Sequence, residues 1–267
     1  MALDDFTDAQ LGEIWRRAKR TLDEASSGQW QKGRNGDTAA SMREFDAVAD
    51  DEHFLRLVKV VFHAGKRAKT VEKYYTGITK HLGDYNRVRH YGDAEVQRAM
   101  SDPEMFCHET NIRACIQNAQ RFSQTVHDFG TFRAYLLSFE PWDSYAGVDR
   151  LCRDLLRFRQ VGPKSAQHFA NWCRFPVVKT DRHIMRIFSR IGLVSSDGNE
   201  AGTIQAARKM SEAAGVGTSA IDSFVGMGLE DYYGKGSQVC ATEPNCGRCH
   251  IGDLCQYQRK HGALARR

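Results

Sequence analysis

The sequence predicts an all-α protein, and three observations carry that prediction. Only 5 prolines occur in 267 residues, so few points force a helix to stop. Apolar residues recur with a period of about 3.6: Phe54, Leu57, Val58 and Val61, then Ile112, Cys115, Ile116 and Ala119, then Ile184, Ile187, Phe188 and Ile191. Alternating runs, the mark of half-buried strands, are missing.

Along the chain, an N-terminal helix comes first. The polar, glycine-bearing stretch SSGQWQKGRNGDT (26–38) then reads as a loop to the main body, with Trp30 as a side chain that could dock.

Composition excludes several classes. The apolar run from Leu55 to Phe62 is broken by Arg56 and Lys59, so no segment approaches the roughly 20 residues of a membrane span. The start, MALDDFTDAQ, has neither a basic nor an apolar leader region, which predicts a cytoplasmic protein, nucleoid-associated in a bacterium. A formal net charge of +5 favours a polyanionic partner. Eight cysteines without an export signal point to metal or free thiols before disulfides. Cys107, Cys115, Cys152 and Cys173 are scattered and read as small hydrophobes.

Residues Val148 to Cys173 read as helix, tight turn, helix, with the turn at Arg159-Gln160-Val161-Gly162-Pro163. Gly162 frees the backbone and Pro163 suits the first helical position. Amide N–H groups at such a turn, beside a helix N-terminus, can bind a DNA phosphate; an ordinary connection is the alternative. Lys164 follows in the first helical turn, where the helix dipole and partial burial would favour a neutral, nucleophilic amine. It could equally contact phosphate or be solvated.

The remaining four cysteines, Cys240, Cys246, Cys249 and Cys255, are spaced C-x5-C-x2-C-x5-C near the end of the chain. Four thiolates on one short loop can enclose a single zinc ion or an iron-sulfur cluster. The surrounding PNCGRCHIGDLCQY resembles the loop that carries a 4Fe-4S cluster in the endonuclease III and adenine-glycosylase family, although five residues stand between the first two cysteines where that family has six. QVGPKSA resembles the helix-hairpin-helix motif of the same DNA glycosylase superfamily, with Gln160 in place of its first glycine. The resemblance implies that Gln160, Val161 and Gly162 grip DNA, and that Lys164 is the nucleophile of bifunctional members.

FPVVKTDRHIMRIFSRIGL resembles the segment in which that family carries its catalytic aspartate, here Asp181. Its structural role would be to cap the following helix. The resemblance implies that it also stabilises positive charge at the sugar C1′.

FHAGKRAKTV, DYNRVRHYGDAEV, IRACIQNAQRF and FGTFRAYL resemble the 3-methyladenine DNA glycosylase I family. The glutamate and tryptophan with which that family recognises its base are matched by Val60 and Ala68, so its substrate is not carried over. His63 matches a glutamine that fills the gap left by an extruded nucleotide, and the turn Glu109-Thr110-Asn111 is a second candidate wedge. Lys66 and Arg67, with Lys69, could contact phosphates or form a solvated face.

Together these resemblances imply a monomeric base-excision enzyme on double-stranded DNA containing a damaged base or abasic site. The DNA would lie in a cleft flanked by two helical domains, a barrel over residues 51–178 that ends in the helix-hairpin-helix motif and a second domain of residues 1–50 and 179–267 that carries the C-terminal 4Fe-4S loop. Lys164 would attack C1′, form a Schiff base and cleave the strand by β-elimination. Two alternatives stand beside this AP-lyase reading. One is a monofunctional glycosylase for alkylated or other modified bases, in which Asp181 activates water. The other is a non-catalytic DNA-damage-binding module.

Overall fold

The computed structural model describes residues 3–28, 47–230, 232, 234 and 236–261, and every described regular element is helical. Trp30 and most of the expected 26–38 loop lie outside the described residues. The helices are α1 (Asp8–Ser26), α2 (Asp50–His63), α3 (Ala68–Glu72), α4 (Tyr75–Leu82), α5 (Tyr85–Val88), α6 (Asp93–Met100), α7 (Glu109–Phe129) and α8 (Phe132–Leu137). They continue with α9 (Tyr145–Asp154), α10 (Pro163–Trp172), α11 (Arg182–Ile191), α12 (Glu200–Ala214), α13 (Thr218–Ile221), α14 (Val225–Gly228) and α15 (Gln256–His261). None is long and apolar enough to cross a membrane.

Two compact units result, one from residues 1–41 with 177–267 and the other from residues 42–176. Val178 is buried in the core of the first unit with Ile184 and Phe188, so the C-terminal boundary falls slightly ahead of the position expected from sequence.

In the 42–176 unit, α7 is the central helix, and α2, α5, α6 and α8 pack on it. Its core is aromatic: Phe54, Phe122, Phe132, Phe158 and Phe169 are almost wholly buried, with Phe122 and Phe132 stacked at 4.1 Å between centroids. The acidic start of α2 also reaches neighbouring helices. Asp50 Oδ1 accepts from the Phe132 N–H at 2.9 Å and Asp51 Oδ1 from the Tyr85 N–H at 3.2 Å, which supplies the orphan amides at the starts of α8 and α5. Gly147 lets α9 press against the preceding turn, since a Cβ there would lie 2.1 Å from the Pro141 carbonyl oxygen.

In the other unit, α1 begins with a capping box between Thr7 and Gln10 and lies along α12. Trp15 and Phe188 meet on Phe224, at 6.0 and 5.4 Å between centroids. The apolar stripe of α11 is buried in this core, which leaves Arg182, Arg186 and Arg190 along its less buried sides.

Candidate functional site

The turn between α9 and α10 is held from within its own unit. A short 3-10 segment, Leu155–Arg157, leads into it, and the Val161 N–H donates to the Phe158 carbonyl at 3.2 Å. Gln160 adopts φ +59°, the left-handed conformation that glycine takes most easily, so the turn keeps a glycine-like shape without the glycine. Val161 is buried, and Gly162 is the extended N-cap before Pro163. Asn118, 1 % exposed on α7, closes the turn: its Nδ2 donates to the Arg159 carbonyl at 3.0 Å and its Oδ1 accepts the Arg159 N–H at 2.7 Å.

Beside the turn lies an open groove of about 540 Å³ whose lining includes Arg121, Arg157, Arg159, Gln160, Gly162 and Ser165. Arg157 is fixed there by a 2.7 Å bond to Thr125 Oγ1 and by its position 4.8 Å from the centre of the Tyr135 ring. Arg159 donates to Gln117 at 3.0 Å. Three guanidinium groups next to the first amides of a helix, one of them also 3.4 Å from Asp154, give this groove a chemistry that can attract an anion. Lys164 is exposed in the first turn of α10, so the partial burial expected to favour a neutral amine is not present.

His63 ends α2 and is half-buried, with its Nε2 2.6 Å from the Tyr75 hydroxyl. It is thus engaged with the fold, unlike a side chain that stands clear to enter a duplex. Asn111 is buried and donates to the Val61 carbonyl at 3.3 Å, which corrects its reading as a wedge: the side chain ties α7 to the end of α2. Thr110 is exposed at the start of α7, and Lys66 and Arg67 are exposed before α3.

In the other unit Asp181 is the N-cap of α11. Its Oδ1 accepts from the His183 N–H at 2.8 Å and the Ile184 N–H at 3.0 Å. The approach to it is fixed as well, because the Lys179 N–H donates to the buried Asp222 at 2.9 Å. His183 lies 2.9 Å from the Gly228 carbonyl, and burial holds its imidazole below the usual histidine range.

The cysteine loop starts where the Met227 carbonyl accepts both the Val239 N–H (2.8 Å) and the Cys240 N–H (2.7 Å). Cys240 acts electrostatically on Cys246, Cys249 and Cys255, so the four sulfurs share one locality. Burial first, and neighbouring cysteines after it, raise the thiols of Cys246, Cys249 and Cys255, that of Cys249 to about 11. Arg190 donates to Cys240 Sγ at 3.4 Å and to the Ala241 and Thr242 carbonyls at 2.5 and 2.8 Å, while Cys255 Sγ lies 3.3 Å from the Arg190 carbonyl. No three His, Cys, Asp or Glu side chains among the described residues converge tightly enough to hold one metal ion. A half-buried all-sulfur set with an arginine on one sulfur fits a soft, anionic, multinuclear group.

Sequence reading missed Asn118, Asp222 and Arg190. Each is an ordinary polar residue whose role depends on a partner far along the chain.

Residues 45–167 match the family model described as methyladenine glycosylase, and on this match the chain is an enzyme of the DNA glycosylase class. The matched segment holds the 160–162 turn, Lys164 and His63, and ends before Asp181 and the four cysteines. Among solved structures, 3-methyladenine DNA glycosylase I from Staphylococcus aureus is similar at 17% identity and a TM-score of 0.43, over 56% of this chain and 89% of that one. No curated protein matches the chain.

Proposed function

We propose that this protein is a monofunctional DNA glycosylase that removes alkylated bases, rather than the lysine-dependent lyase that the sequence first suggested. The observation that carries the reading is the methyladenine glycosylase match over residues 45–167. The exposure of Lys164 favours the same choice, because a Schiff-base lysine works from a desolvated pocket. In this reading the 160–162 turn and its arginines hold a phosphate, with Lys164, Lys66, Arg67 and Thr110 as further backbone contacts. Asp181, pinned through Oδ1, orients the attacking water and stabilises the positive charge that develops at C1′ as the base leaves.

Cys240, Cys246, Cys249 and Cys255 are proposed to hold a 4Fe-4S cluster, on the strength of their shared locality and the Arg190 bond to Cys240. When bound, the group supplies a structural cross-link for the loop. Iron analysis and a visible absorption band test this part independently of activity.

The glycosylase reading is tested by incubating the protein with methylated duplex DNA and measuring free methylated bases. Release of the base with an intact abasic strand is the expected result. Strand cleavage with a borohydride-trapped adduct would restore the lyase reading.

A further inference from the structure

Four aromatic side chains that all carry polar atoms gather where α2, α4 and α10 meet. His63 lies 5.7 Å from both His168 and Trp172 and 5.9 Å from Tyr75, ring centre to ring centre, and His168 lies 4.2 Å from Trp172. All four are half-buried. The packing core of this unit looks different, for it is built of wholly buried phenylalanines and includes a stacked pair. Packing alone does not call for two imidazoles, a phenol and an indole in one place.

Ring geometry gives the cluster a use. His63 meets Tyr75, His168 and Trp172 at 77°, 69° and 85°, edge to face, and His168 lies against Trp172 at 57°, so His168 and Trp172 form one joint wall. Burial and the nearby Glu72 push the Tyr75 phenol up to about 12. It therefore stays protonated at neutral pH, and its 2.6 Å hydrogen bond with His63 Nε2 fixes the imidazole. Lys59 lies over the Tyr75 ring at 4.7 Å and covers part of it, which leaves His168 and Trp172 as the stacking end. A glycosylase stacks its extruded base on flat side chains and reads its edge by hydrogen bonds.

We propose that His63, Tyr75, His168 and Trp172 receive the extruded alkylated purine: Trp172 and His168 stack on the ring, and the Tyr75-fixed imidazole of His63 reads its edge. This rests on the glycosylase reading and adds the residues that select the base. None of the four is a core phenylalanine or a phosphate-contacting cation, so the cluster separates base recognition from backbone binding.

The test compares the wild type with Trp172→Leu, His63→Ala and Tyr75→Phe on two duplexes. One is methylated DNA; the other carries a tetrahydrofuran abasic-site analogue, which has no base. Loss of a stacking partner is expected to lower kcat/KM for base release by about tenfold or more, while affinity for the tetrahydrofuran duplex changes by less than about twofold. Free 3-methyladenine should also quench tryptophan emission in the wild type and not in Trp172→Leu. If Trp172→Leu does not fold, Tyr75→Phe decides the matter: slower release at an unchanged Tm supports the proposal, and unchanged release overturns it. A wild type that releases no methylated base ends the glycosylase reading and this proposal with it. A wild type that releases it, with variants equally active and equally quenched, ends this proposal alone.

Discussion

Asn118 holds Arg159 by both of its backbone groups, donating to the carbonyl at 3.0 Å and accepting the N–H at 2.7 Å. The central helix of the unit thereby sets the shape of the turn that carries Gln160 and Gly162. A buried amide that satisfies two backbone groups leaves both unpaired when it is removed, which costs about 1–3 kcal/mol for each group that stays dry. Asn118→Leu is therefore expected to lower stability in urea unfolding by a few kcal/mol at most. It should also weaken DNA binding, because the turn proposed to hold a phosphate loses its fixed shape. Unchanged affinity in a fully folded variant would separate this turn from DNA.

Gln160→Gly tests the turn from the opposite side. A side chain at φ +59° carries roughly 1 kcal/mol of strain, and glycine removes it while adding about 0.5–1 kcal/mol of unfolded-chain entropy. The two nearly cancel, so Tm should stay the same or rise slightly. Gln160→Val, with a branched β-carbon in the same conformation, should lower it clearly.

Asp181→Asn should abolish base release while changing Tm little, since asparagine caps a helix about as well as aspartate but carries no charge for C1′. Lys164→Ala should retain release and lose only some DNA affinity and part of its salt dependence. These paired outcomes distinguish water activation from the lysine mechanism, and equal loss in both variants would point back to the lyase.

Legibility in the sequence followed the range of the interactions. α11 and its cap at Asp181 were readable because cap, stripe and terminating glycine lie within a dozen residues or so of one another. The turn was readable from Gly162 and Pro163 for the same reason. Asn111 misleads: a polar residue in the first turn of a helix looks exposed, and only the packing of α2 on α7 decides which face it takes. Asn118 and Arg190 left no local trace because their partners lie 41 and 50 residues away. The ring cluster draws on three helices, so no single stretch of chain announces it.

His53 makes the 42–176 unit sensitive to acid. It is fully buried, packs 5.9 Å from Phe132, and burial first, with Arg56 and Arg133 after it, lowers its imidazole to about 3. The unfolded chain binds this proton near pH 6.5, so between 6.5 and about 3 the unfolded state holds more protons than the folded one. Stability from this group is thus complete above pH 6.5 and falls as pH drops, by at most about 1.4 kcal/mol per pH unit. Urea unfolding from pH 7.5 to 4.5 should show that slope, and His53→Gln should flatten it. An equally steep slope in a folded His53→Gln would assign the acid sensitivity to other groups.

Arg190 gives the last prediction, because it ties both ends of the cysteine loop to α11. It donates to Cys240 Sγ and to the carbonyls of Ala241 and Thr242, its own carbonyl lies beside Cys255 Sγ, and its guanidinium sits 5.0 Å from the centre of the Tyr257 ring. Arg190→Met keeps length and apolar bulk but removes every one of the side-chain donors. Loss of a partner bond to a ligating sulfur typically weakens metal retention by about 10–100-fold. The variant is therefore expected to lose its visible absorption faster than the wild type under a chelator, with α11 and its Asp181 cap intact by circular dichroism. Equal rates of loss would show that the arginine serves the loop backbone alone, and a wild type without iron would remove the cluster proposal itself.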